Sequence, residues 1–162
     1  MKMKCLYIFF VFLLLGKNQF AQSTELQSYH VVFYKNLNHG NIEMIEMQLN
    51  SMQDLPSKDT LAYSGALRMK LSGMLSGTSL KLSLFKDGKK RLEQAIAEDS
   101  TKAEYRFLRL IIQENAPSIL RYNNKLTEDK NFILLHFSSL NPVLKSEIKK
   151  YSATSKILQD TF

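Results

Sequence analysis

The residues of this chain that could do chemistry are few, and their spacing builds no familiar catalytic or metal-binding set. His30, His39 and His136 are its three histidines, and no two of them stand four apart as ligands on one helical turn would. No metal site is expected. Ser83-Leu84-Phe85-Lys86 has the Ser-x-x-Lys spacing of certain serine nucleophiles, but the companion Ser-Asp-Asn and Lys-Thr-Gly strings are missing. Gly-x-Ser-x-Gly, a phosphate-cradling glycine loop and His-Glu-x-x-His are missing as well. Glu93, Glu98 and Asp99 could do acid–base work only if desolvated in a cleft. Beside Lys89, Lys90 and Arg91 they read as a solvated, ion-paired helix face. No catalytic residue and no cofactor is assigned, and the chain reads as a non-enzyme.

One polar pattern does stand out. Lys102, Arg106, Arg109 and Gln113 recur at i, i+4, i+7 and i+11, which puts them in one narrow stripe on a helix. Between them Tyr105, Phe107, Leu108, Leu110, Ile111 and Ile112 are all apolar or aromatic. A helix apolar round most of its circumference must be covered on several sides, so 102–115 is expected to be the central helix. Its guanidinium groups suit a carboxylate-bearing ligand or peptide. The competing use is pairing with acids of the preceding helix, such as Glu98. Arg106, Arg109 and Gln113 are therefore the candidate binding residues, with Tyr63 from a neighbouring helix.

The elements around that helix follow from caps and periodicity. Thr24-Glu25-Leu26-Gln27 fits a capping box, and Leu26, Tyr29, His30, Phe33 and Leu37 form the stripe of a first helix. Gly40 is expected to end it in the left-handed conformation, with His39 in the turn. Asn41 caps a second helix to about Gln53. A third runs from Ser57 to Leu75, with Ala62, Gly65, Ala66 and Gly73 on one face and Tyr63, Leu67, Leu71 and Met74 on the next. A fourth runs from about Leu80 to Asp99, carrying Leu84, Phe85, Gly88, Leu92, Ala95 and Ile96 inward. Thr101-Lys102-Ala103-Glu104 is a second capping box. Pro117 opens a short segment to Asn123, Thr127 a sixth helix to Leu140, and Asn141-Pro142 a last helix to about Leu158. Met52, Met69 and Met74 fall on inward faces, Met44 and Met47 off them.

The fourth helix carries Gly88, Leu92, Ala95 and Ser100 at steps of four, three and five. The third carries Ala62-Tyr63-Ser64-Gly65-Ala66-Leu67. This pair resembles a tetratricopeptide repeat, in which a small residue, a large apolar one, another small one and a helix-ending residue recur. Ser100 stands where such repeats usually have proline. The interval from Gly65 to Gly88 is 23 residues against about 12 in the repeat, so both helices are longer than usual. The resemblance implies antiparallel helix pairs, with Gly65 packed tightly against the fourth helix near Gly88 or Ala95.

Composition sets the address. Lys2 and Lys4 precede an unbroken apolar run, Leu6 to Leu15, and a more polar segment ends at Ala21. That is the order of a secretory signal peptide over 1–21, and the run is short of the roughly 20 residues a membrane span needs. The domain is then 22–162, exported to a periplasmic or extracellular space and not membrane-spanning. The only cysteine, Cys5, lies at the start of the apolar run, so the mature domain has no disulfide or thiolate. Removing Lys2, Lys4 and Lys17 lowers the formal net charge from +7 to +4. In an exported protein this mild basicity points away from nucleic acid and toward acidic proteins or anionic head groups. The expected architecture is all-α: antiparallel helix pairs in a helical-repeat-like bundle of about seven helices. The expected function is an exported interaction module for a protein or peptide. The alternative is a small-molecule or lipid carrier with an apolar pocket inside the bundle.

Overall fold

The computed structural model describes residues 29–52, 57–159 and 161–162. Among them are seven α-helices, short 3-10 turns and no strand. The signal peptide expected over 1–21 and the capping box at Thr24 lie outside the described residues. Helix α1 occupies 29–39, α2 Ile42–Ser51, α3 Ser57–Met74 and α4 Thr78–Glu98. Helix α5 is Ala103–Asn115, α6 Leu126–His136 and α7 Pro142–Ser152. No described helix is long and apolar enough to cross a membrane.

The centre of the fold is α5, where ten of thirteen residues are buried. It is covered by α1 through Tyr34 against Phe107, and by α7 through Tyr151 against Phe107. Asp59 of α3, Glu93 of α4 and Asp129 of α6 reach it through hydrogen bonds to Tyr105 and Arg109. Leu108, fully buried, sits in the core with Leu67, Leu92, Ile133 and Ile148.

Two antiparallel pairs frame α5. In the first, Gly65 of α3 meets Gly88 and Leu92 of α4, while Gly88 meets Met69. Contacts that run backwards along one helix as they run forwards along the other define an antiparallel crossing. A Cβ at Gly65 would lie 2.7 Å from the Gly88 carbonyl oxygen, and one at Gly88 only 2.6 Å from that of Gly65. The two glycines let the backbones touch, so of the two neighbours that the repeat resemblance implied for Gly65, Gly88 or Ala95, it is Gly88 that it meets. In the second pair, α5 and α6, Arg106, Arg109 and Gln113 meet Phe132, Asp129 and Lys125 in that order.

Local signals placed most boundaries. Asn41 and Asn141 accept from the backbone N–H of Met44 and Leu144, capping α2 and α7. Asp87-Gly88 lies inside α4 without a break, because the tight crossing needs the glycine there. Other expectations are corrected. Gly40 does not take a positive φ; among described glycines only Gly77 does, at 87°. His39 is the last residue of α1 rather than part of a turn. Thr101 does not cap α5: its hydroxyl donates to Asp99, and Glu104 turns inward to Tyr34. Met74 is exposed, whereas Met52 and Met69 are buried. The last helix stops at Ser152, and the chain continues in turns that bring Leu158 into the core.

Candidate functional site

The stripe of α5 is built into an ion-pair network. Arg109 is 4% exposed and Asp129 is fully buried. Arg109 donates from Nε and Nη2 to the two oxygens of Asp129, both at 2.7 Å, and from Nη1 to Glu93 at 2.7 Å. Burial alone would lower the guanidinium pKa, but the carboxylates of Asp129 and Glu93 outweigh it and hold it above its ordinary value. Arg106 donates to Glu128 and Asp129 and lies over the Phe132 ring. Lys102 pairs with Asp59. Gln113 accepts from the backbone N–H of Lys125, and its own amide nitrogen is buried without a partner among the described residues. The expected pairing with an acid of the preceding helix is made by Glu93, not by Glu98, which accepts from Gln94 on its own helix. A ligand carboxylate at Arg109 would first have to displace Asp129 or Glu93.

Tyr63 stands apart from that network and faces α1. It is 2% exposed, packs on Phe33 and shares a hydrogen bond of 3.1 Å with His30 Nε2. His30 Nδ1 lies 3.7 Å from Glu104, which also accepts from Tyr34 at 3.0 Å. Burial, reinforced by Glu104, pushes the hydroxyls of Tyr34 and Tyr63 well above the ordinary phenol range. Both are therefore neutral hydroxyls, able to donate and to accept. The two tyrosines are 1% and 2% exposed, and the cluster ties α1, α3 and α5 together.

An accessible concavity borders this cluster at Tyr34. A cleft of about 530 Å³ opens between α1, the end of α3, the end of α5 and α7. Leu37, Ile111 and Ile112 give it apolar walls, with the Tyr34 and Tyr151 rings beside them. Its polar rim carries Lys35, His39, Lys70 and Lys150. Lys150 is paired with Glu147, the one carboxylate of the lining, at 2.6 Å. Lys35 and Lys70 have no carboxylate within ion-pair distance among the described residues. The far wall is fixed by Glu114, which accepts from the Tyr151 and Ser155 hydroxyls and from the backbone N–H groups of Lys156 and Ile157.

None of the four candidate binding residues lines this cleft. Its own residues come from four separate helices and the turn after α7, and no spacing in the sequence groups them. One signal was present. Lys70 and Arg68 are the only cations in the otherwise buried stretch 62–72 of α3. Arg68 is matched by Asp87 at 3.2 Å, and Lys70 is not. Comparison with known protein families, with curated proteins and with solved structures finds no match to this chain.

Proposed function

We propose that the chain is an exported, non-enzymatic helical module that binds a peptide segment of another protein in the cleft between α1, α3, α5 and α7. The observation that carries this reading is the cleft itself: apolar walls, a polar rim, and an opening to solvent beside Val31, which is 54% exposed. Such a combination holds a side chain by burial and orients it by a few polar groups. Arg106, Arg109, Gln113 and Tyr63 serve the binding indirectly, by keeping α5 and α1 in register. The paired arrangement of α3 and α4, with its Gly65–Gly88 approach, supports a distant tetratricopeptide-like ancestry. The basic, apolar leader of the sequence supports export.

The test is selection of a displayed random dodecapeptide library on the purified protein, followed by measurement of the recovered peptides on two cleft-filling variants. Val31→Trp and Thr154→Trp place a large ring at the cleft from exposed backbone positions. Recovered peptides should bind the parent and lose affinity for both variants. Recovery of none, or binding indifferent to both variants, would sink the reading.

A further inference from the structure

We infer that the cleft reads acidic peptides: a segment whose Asp or Glu carboxylate docks on Lys35 and Lys70 while an apolar neighbour rests on Leu37, Ile111 and Ile112. This rests on the cleft being the binding site, and it names the chemistry of what binds. The ground for it is a contrast within the molecule. Every cation of the α5 stripe is neutralised by the fold: Lys102 by Asp59, Arg106 by Glu128, and Arg109 by Asp129 and Glu93. On the cleft, Lys150 is likewise neutralised by Glu147. Among the described residues Lys35 and Lys70 have no such partner, and they belong to the same concavity.

Lys35 is exposed on the rim, while its position makes Lys70 more than ordinary surface charge. Lys70 is half-buried, flanked by the buried Met69 and Leu71, and directed to the cleft. A cation held partly out of water without a counter-ion keeps an unspent attraction for one. A peptide laid over the rim would remove more water and so strengthen a carboxylate–ammonium contact beyond that of an exposed pair. The side chains of Asn38 and His39, on the same rim, make no hydrogen bond among the described residues and are offered to the peptide backbone. The apolar walls require that the acid be accompanied by a Leu, Ile, Val or Phe. Glu147 in the wall works against a polyanion, because a run of phosphates would meet it as well as the lysines.

The experiment uses the peptides recovered from the library, made with a fluorescent label and read by anisotropy. They are expected to carry an excess of Asp or Glu next to aliphatic or aromatic residues. Each is then remade with Gln and Asn replacing its acids, and each is also titrated against the K35E/K70E protein. Both changes should weaken binding about tenfold, equivalent to about 1.4 kcal/mol, and the binding of the acidic peptide should weaken with added salt. The amide peptides leave the protein untouched, so misfolding of the variant cannot mimic the result. If the amide versions bind as tightly and Val31→Trp still blocks them, the acidic preference is overturned and the cleft reading stands. If no peptide is recovered, or Val31→Trp blocks none, both fall.

Discussion

At the scale of single residues the sharpest contrast lies within α3, between Gly65 and Gly73. Alanine is favoured over glycine inside a helix by about 1 kcal/mol, so propensity alone would have both substitutions stabilise. Space divides them. A Cβ at Gly65 would meet two backbone atoms of α4 under 3.0 Å, whereas nothing lies within 4 Å of one at Gly73. Backbone cannot step aside as a flexible side chain does, and overpacking costs about 1–3 kcal/mol. Gly65→Ala should therefore lower the melting temperature, and Gly65→Leu should do so severely. Gly73→Ala should leave it unchanged or raise it, with a gain in stability of up to about 1 kcal/mol. Equal effects in thermal melts would mean that α3 and α4 are not in backbone contact. Gly77 is no neutral control for either, since at φ 87° any larger residue is strained.

At the scale of elements, the packing of α6 on α5 turns on one buried carboxylate. Asp129 takes a two-point contact from Arg109 and a third bond from Arg106. Replacing such a pair outright by apolar groups can be nearly neutral, but removing one partner strands the other charge and costs about 3–5 kcal/mol. Asp129→Asn keeps the shape, removes the charge and leaves Arg109 with Glu93 and the more distant, exposed Glu128 as counter-charges. It should destabilise by an amount approaching that range, read by urea titration. Glu128→Gln, at an exposed position of the same helix, should cost less than about 1 kcal/mol. Similar losses for the two would show that the network is solvated. The same reasoning explains why Glu104 left its cap: a buried carboxylate bonded to Tyr34 ties α1 to α5, which a capping box at the surface would not do.

At the scale of the whole molecule, the carboxylates set its tolerance of acid. Burial alone would raise the pKa of Asp59, but the bonds from Lys102 and Tyr105 outweigh it and hold the carboxyl below its usual value. Asp99 is lowered by its bonds from Thr101, and Glu128 by Lys125 and Arg106. A group with a depressed folded pKa binds its proton more readily when unfolded. Its stabilisation is complete above the unfolded value, near 4 for Asp, and is lost as pH falls through the lower folded value. The melting temperature should stay level through neutral pH and decline below about pH 4. Asp59→Asn should melt below the parent at pH 7, with a deficit that shrinks at strongly acid pH. A constant deficit would assign the Asp59 contribution to packing rather than to its charge.

How much was legible beforehand follows from the range of the information. The sequence alone determined the helical class, the central place of α5, the caps at Asn41 and Asn141, and the touching glycines of α3 and α4. The first three rest on residues a few positions apart, where periodicity and capping act directly on the backbone, and the glycine contact, 23 residues apart in the chain, was implied by the small-residue pattern of a repeat-like pair. Only the tertiary structure decided which charges are neutralised. The Arg109 stripe looks alike whether it faces solvent or Asp129, and that answer comes from α6, twenty residues on. The cleft is more remote still. Lys35, Lys70, Ile112 and Tyr151 meet because α1, α3, α5 and α7 converge there, and no local pattern records a convergence made by four separate helices.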